Sequence, residues 1–405
     1  VQDRVAGEMG APEMQGMKFD TGLWTAAMLG TSAKAALRTG RFDEARGLYD
    51  RILALPNLES FGDVHWEALY GRGIIYEVND ETARAIDLYM RSIDAVEKGR
   101  RAIQSDMTKM NYLGGDRNMP YERVVALLMK TGRQRQAFEY AERAKSRALV
   151  DLLVGRLEPG ADRSLREVAT VRVADVQSML GDELTLVEYF YSREAVYVWA
   201  VSRADFSGHI VQLPERQLRE RIAAFRAVCE KPGENRGIDG SVTVRTVTSK
   251  SQELGKQLHQ QLWHPIAGQV RTATVCIAPH GLLHYLSFAA LYDGKYLAQR
   301  HALSSVPSAT VLKHAIAARR PATGRMLLFG NPDLGDPKHD LKFAGLEATA
   351  LEAIWSPVQV YTRQKATESA LKMHAPDCDL LHVACHGSYN PGSPLRSAVH
   401  LARDP

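Results

Sequence analysis

The sequence predicts an α + α/β chain, a helical repeat array followed by an α/β domain with a mostly parallel sheet. Three observations carry this. Apolar residues and alanines recur at helical spacing from 21 to about 158. Near 183 the period changes to β-rich runs. From 273 onward strand-like runs alternate with helical ones, as they do where parallel strands are joined by crossover helices.

The helical half contains three segments that echo one another: 37-LRTGRFDEARGLYDRILALP-56, 77-EVNDETARAIDLYMRSIDAV-96 and 129-MKTGRQRQAFEYAERAKSRAL-149. In each, a turn leads to Ala45, Ala85 or Ala137, and Tyr49, Tyr89 or Ala141 follows four residues later. A small residue lets two helices approach, and a large one fills the neighbouring groove. Gly40 and Gly132 supply turns that need a positive φ, and Gly73 and Tyr76 stand on the leading helix of the second unit. The pattern resembles the tetratricopeptide repeat, with Pro56 closing the first unit. The alanines are 40 and 52 residues apart, against about 34 for a regular repeat. The array is therefore irregular, with longer helices or insertions near 97–120. Such arrays bind partners on a concave face. Glu158-Pro159-Gly160 stops the last helix and opens a linker. The expected domains are 1–160, helical repeats, and 161–405, the α/β part.

In the second half, Leu184–Tyr191 and Ala195–Val201 are joined by Ser192-Arg193-Glu194 as a hairpin, and His209–Leu213 reads as a third strand. Helices are expected at about 215–230 and 249–268. Strands 273–279, 301–306, 325–330, 358–362 and 379–384 then alternate with helices 308–319, 345–355 and 367–374, and 398–402 reads as a last strand. In such sheets function sits beyond the carboxyl ends of the strands. Three stretches fall there: 279-PHGLLHYLSF-288, 330-GNPD-333 and 385-CHGSYN-390.

Composition narrows the function classes. A net charge of +4 is too small to argue for nucleic acid or an anionic membrane as partner. No apolar run approaches the roughly 20 residues of a membrane span. The four cysteines, at 229, 276, 378 and 385, lack paired spacing and suit a reducing, cytoplasmic setting better than a disulfide framework. The chain starts at Val1 and shows no secretory leader, so it reads as a piece of a larger protein.

The apolar run 380-LLHVA-384 ends in Cys385-His386-Gly387. A Cys385–His386 dyad is disfavoured, because successive strand side chains point to opposite faces. Zinc held by Cys378, His382, Cys385 and His386 is disfavoured too, since no second ligand pair follows; no metal or cofactor is expected. His382 is expected to pack in the sheet with its ring nitrogens hydrogen-bonded. His386 suits a base that serves a nucleophile on another strand, with Gly387 offering its N–H to an oxyanion. For the His-Gly pair taken alone, a merely packed histidine before a turn is the better reading.

The order of motifs decides between these readings. Residues 279–312, then 328-LFGNPD-333, 341-LKFAGLEATALEAI-354 and 380-LLHVACHG-387 resemble the CHAT domain, the caspase-like, separase-related family often fused to tetratricopeptide repeats. The resemblance runs from about 180 to 405, and the junction 138-FEYAERAKSRALVDLL-153 fits it. It departs at His280-Gly281 and Ser287-Phe288, where the family often has Asp-Gly and a proline before the aromatic. The resemblance implies that His386 is the general base of a cysteine endopeptidase and Gly387 the oxyanion donor. It implies a nucleophilic cysteine on a later strand end, which no residue of this chain matches, so the chain reads as truncated before it and inactive alone. It also implies a protein substrate, a protein regulator on the repeat surface, a role in bacterial defence and, in some members, a CRISPR effector as activator. A non-catalytic scaffold on the same fold is the alternative.

Overall fold

The computed structural model describes residues 21–101, 115–155, 170–230, 241–317, 323–388, 390 and 397–404. The stop expected at Glu158-Pro159-Gly160, and residues 102–114 of the expected insertion, lie outside the described residues. The chain forms two compact units, Val1–Ala317 and Ala318–Pro405. The division falls after Ala317 and not at the change of period, for a reason visible in the larger unit's core.

The described residues of that unit begin with three helical hairpins: α1 (Thr21–Arg38) with α2 (Phe42–Leu53), α3 (Gly62–Val78) with α4 (Thr82–Arg101), and α5 (Met119–Lys130) with α6 (Gln134–Gly155). All three turns close identically. Arg41, Glu81 and Arg133 donate their N–H to the carbonyls of Ala36, Tyr76 and Leu128, while Gly40, Asp80 and Gly132 donate to Leu37, Glu77 and Met129. This double bond to the last helical carbonyls needs a left-handed residue at the turn. Gly40 (φ 74°), Asp80 (φ 59°) and Gly132 (φ 76°) supply it. Ala45, Ala85 and Ala137 are fully buried, as are Tyr89 and Ala141, and Tyr49 nearly so. The Tyr49 and Tyr89 rings lie directly on the backbones of Gly71 and Gly73 in α3, so the glycines form the grooves that the tyrosines fill.

After α7 (Val173–Met179) come β1 (Leu184–Tyr191), β2 (Val196–Val201), β3 (Phe206–Val211), α8 (Glu215–Glu230), α9 (Ser241–Leu258), β4 (Thr274–Ala278), β5 (Ala302–Ser305) and α10 (Ala309–Ala317). The sheet order is β3-β2-β1-β4-β5. β1 pairs parallel with β4, and β4 with β5, but β1–β2 and β2–β3 are antiparallel. The mostly parallel sheet expected from the alternation is therefore half antiparallel here. The cause is local: Ser202 and Asp205 close a second short hairpin through Ser202 N–H to Asp205 O (2.9 Å), and a connection that short admits only antiparallel strands. This hairpin also moves β3 ahead of the expected 209–213.

The residues of β1 divide by parity. Leu186 and Phe190 join Tyr89, Val124, Phe138 and Ala141 of the hairpins in one core, while Val187 and Tyr189 join Leu218, Ile222 and Leu258 of α8 and α9 in another. Hairpins and sheet thus share buried apolar surface, and that continuity holds them in one unit.

The smaller unit holds β6 (Met326–Pro332), α11 (Lys342–Ile354), β7 (Val358–Arg363), α12 (Glu368–His374), β8 (Leu380–Ala384), β9 (Gly387–Ser388) and β10 (Ala398–Val399). Its three-stranded sheet is parallel, in the order β7-β6-β8. Met326 and Leu328 face Ala348 and Leu351 of α11, and Leu327 and Phe329 face Ala370 and Leu371 of α12. Opposite faces are required, because the crossovers leave β6 for one side and return to the other with the same hand. The strand expected at 398–402 pairs only at Ala398 and Val399, with a further bridge from Ala402 to Thr367.

Candidate functional site

β6 and β8 run side by side and parallel, so the chain leaves both strands at the same end of the sheet. β8 runs on into Cys385 and His386, and β6 into a loop that reaches α11. The two segments meet. Nε2 of His386 lies 3.0 Å from the carbonyl oxygen of His339, and the two imidazoles stand edge to face at 5.7 Å. A carbonyl oxygen only accepts, so the hydrogen of this bond belongs to Nε2. In the neutral ring, Nδ1 then carries the lone pair.

His400 donates its N–H to the His386 carbonyl (2.8 Å), and Gly387 stands opposite Val399 in the β9–β10 pair. Hydrogen-bonded and non-bonded pairs alternate along antiparallel strands. Gly387 follows a bonded pair, so its N–H points away from β10.

In the smaller unit, both described thiols donate to carbonyls and not to the ring. Cys385 Sγ donates to the carbonyl of His386 (3.2 Å), and burial pushes its thiol up. Cys378 precedes β8, at the other end of the strand, and donates to Ala375 O at 3.2 Å. Cys276 is buried in β4 of the larger unit, where burial again raises the thiol, and Cys229 is exposed near the end of α8. Nε2 of His382 lies 3.0 Å from Glu347 Oε1 on α11 without the alignment of a hydrogen bond, so the expected hydrogen-bonded ring is found only as a close approach. No three His, Cys, Asp or Glu side chains among the described residues form a metal-holding group.

A CHAT domain family model matches residues 252–405. The match begins within α9 and spans all of the smaller unit, so the residues around His386 lie inside the CHAT segment. There the chain is similar to a caspase-like, peptidase-related family. A search of curated proteins found no match.

Of the three strand-end stretches singled out in the sequence, two come together in the smaller unit: 330-GNPD-333 and the Cys385-His386-Gly387 turn. The third, 279–288, comes after β4 in the larger unit. There His280 Nδ1 accepts from Tyr191 N–H (3.3 Å), and the ring stacks on Phe190 at 4.3 Å. Burial, helped by the Lys145 charge, lowers its pKa to about 3, so it is neutral.

Sequence reasoning marked 330-GNPD-333 at this strand end but gave no role to the rest of the loop after β6. A cleft of about 320 Å³ opens there between Pro332, Asp333, Asp336, His339, Asp340 and Arg363. The hydrogen bond from Asn331, and then the Arg363 guanidinium, hold Asp340 below the usual carboxylate range. The Asn331-Pro332 dipeptide inside 330-GNPD-333 marks the turn, but no spacing in the sequence joins Asn331 to Asp340 or Asp340 to Arg363.

Proposed function

We propose that the chain is part of a tetratricopeptide-repeat CHAT cysteine endopeptidase acting on a protein substrate, with the helical hairpins binding a partner or regulator. His386 is the general base and Gly387 the oxyanion donor. The observation that carries this reading is the His386 ring, held through Nε2 by a backbone carbonyl at the end of a parallel strand, beside an amide turned away from its strand partner. Nδ1 then takes the proton of a thiol, the thiolate attacks the scissile carbonyl carbon, and the Gly387 N–H faces the oxyanion that forms. The imidazolium returns its proton to the leaving amine. The thiol comes from a residue outside these 405, on a strand end beside β8. By the same resemblance, the setting is regulated proteolysis in bacterial defence, in the cytoplasm, with a CRISPR effector among the candidate activators. The reading needs neither metal nor cofactor.

One observation favours a second reading, a non-catalytic scaffold on the same fold: the two described thiols of the smaller unit, Cys378 and Cys385, donate to carbonyls and not to the His386 ring. The experiment that separates them uses the complete protein with its activator and a peptide library. His386→Ala is expected to lose at least about 10²-fold in rate, as for a lost general base. Cys385→Ala should keep most activity, and the 405-residue chain alone should show no His386-dependent labelling by a thiol probe. Equal and total loss in both folded variants would make Cys385 the nucleophile; no cleavage by the complete protein would favour the scaffold.

A further inference from the structure

We propose that Asn331 is a positioning residue for His386: through Asp340 it fixes the loop whose His339 carbonyl holds the ring, and so keeps Nδ1 as the nitrogen that takes a proton. This rests on the role of His386 given above.

The loop from Gly335 to Asp340 is exposed along its length, with Gly335 in the left-handed region (φ 80°). A carbonyl on such a loop orients a ring only if the loop itself is held. Local turns hold part of it: Gly335 N–H donates to Asp333 Oδ1 (3.0 Å), Lys338 N–H to Asp336 Oδ1 (2.9 Å), His339 N–H to Asp336 O (3.0 Å) and Asp340 N–H to Pro337 O (3.1 Å). None of these joins the His339–Asp340 end of the loop to the sheet. Asn331 does. Its side chain uses both ends of the amide, Nδ2 donating to Asp340 Oδ1 (2.7 Å) and Oδ1 accepting from Leu341 N–H (2.9 Å). These are the two residues next after His339. Arg363, at the end of β7, donates to the same Asp340 oxygen through Nη1. Asp340 is thereby tied to two adjacent strand ends, and His339 is carried with it.

The residue type is constrained from two sides. Asn331 is 7% exposed and has φ 47°, a conformation in which Asn and Asp are enriched among side-chain-bearing residues. Glycine would satisfy the backbone and lose both hydrogen bonds. Aspartate would accept from Leu341 but set a second carboxylate against Asp340. Asparagine alone supplies the tolerated φ, the donor and the acceptor.

The test reads the tautomer of His386 directly, by ring ¹⁵N NMR on the full chain, with the signal assigned by its loss in His386→Ala. The wild type is expected to show one tautomer with hydrogen on Nε2. Asn331→Gly keeps an easy positive φ and removes both bonds; it is expected to give a mixture of tautomers in a protein whose circular dichroism is unchanged. Should Asn331→Gly fail to fold, Asp340→Ala decides, because it deletes an exposed carboxylate and is expected to give the same mixture. A folded variant that retains the single Nε2–H tautomer overturns the proposal, as does a wild type without it. In the complete protein, kcat of Asn331→Gly should fall about tenfold or more with KM little changed. A shifted tautomer with a rate indifferent to His386 would support the positioning and refute the catalytic reading separately.

Discussion

Replacing Gly73 by alanine tests whether the helical hairpins interlock as described. A Cβ placed on Gly73 would stand 2.6 Å from Tyr89 Cε1, 2.8 Å from Cδ1 and 3.3 Å from Cζ. Ordinary carbon contacts lie at about 3.5–4.0 Å, so ring or helix must move by roughly 1 Å. The ring has little freedom to do so. Tyr89 is fully buried, its hydroxyl donates to Glu77 Oε2 at 2.6 Å, and Tyr70 stands 5.5 Å from it, centroid to centroid. Overpacking of this kind costs about 1–3 kcal/mol, and losing a hydrogen bond to a charged group adds about 1.5–3 kcal/mol. Alanine returns about 1 kcal/mol through helix propensity. The net expectation is a loss of about 1.5–5 kcal/mol, read from urea denaturation. Gly47, on the exposed side of α2 with nothing within 4 Å of its would-be Cβ, is the control: Gly47→Ala should stabilise by up to about 1 kcal/mol. If Gly73→Ala proved as stable as Gly47→Ala, the groove at Gly73 would not be what seats Tyr89.

Two further predictions concern the larger unit. Glu142 is fully buried and accepts from Ala309 N–H (2.9 Å), Thr310 N–H (2.9 Å) and Thr310 Oγ1 (2.8 Å) at the start of α10. Glu142→Ala should therefore cost about 2–4 kcal/mol in urea denaturation; a change within about 0.5 kcal/mol, as for a surface site, would show that the cap is dispensable. His280 stays neutral in the folded chain because burial holds its pKa near 3, whereas the unfolded chain takes up a proton below about 6.5. The unfolded state then binds more protons, so this residue's contribution to stability falls as pH drops from about 6.5 toward 3, by at most about 1.4 kcal/mol per pH unit and about 2 kcal/mol by pH 5. Glu188, raised first by burial, acts in the opposite sense above its ordinary value, so the measurement is the difference between wild type and His280→Gln. A difference that does not change between pH 7 and pH 5 would refute the neutral imidazole.

The hairpins were legible because their information is local. The spacing from Ala45 to Tyr49 and from Ala85 to Tyr89 sets the face that each helix buries, and Gly40 and Gly132 mark their turns by residue type alone. Asp80 makes the expected second turn without a glycine, with a φ of 59°. The division of the chain was not legible near 160, because the change of period records secondary structure and not the sharing of a core. Leu186 and Phe190 read as any β-rich run, yet they pack with Phe138 and Ala141 of a hairpin. His386 was legible as a strand-end residue, since an apolar run that stops at His-Gly fixes where the strand ends. What holds the ring was not. Its partner is a carbonyl 47 residues away, and every residue has a carbonyl. The staple that fixes that carbonyl joins Asn331, Asp340 and Arg363 over separations of 9 and 23 residues, with no spacing rule behind it.

The junction 138-FEYAERAKSRALVDLL-153 carries the same lesson at a buried charge cluster. Read along α6, Glu142 and Lys145 are three apart and look like an ordinary helix-surface ion pair. In the fold both side chains are buried, and each serves another element. Glu142 caps α10, while Lys145 Nζ donates to Ala278 O at the end of β4 (3.0 Å) and lies 3.4 Å from Glu188 Oε1 on β1. One ammonium thus stands against a buried carboxylate of the sheet. Desolvation, and then the nearby Glu142 charge, raise Glu188 well above the ordinary carboxylate range. The position of these contacts matters more than their strength. A single helix of the repeat array holds the start of α10 through one side chain and the end of β4 through the next. A displacement of α6 therefore bears on the strand end that leads into His280.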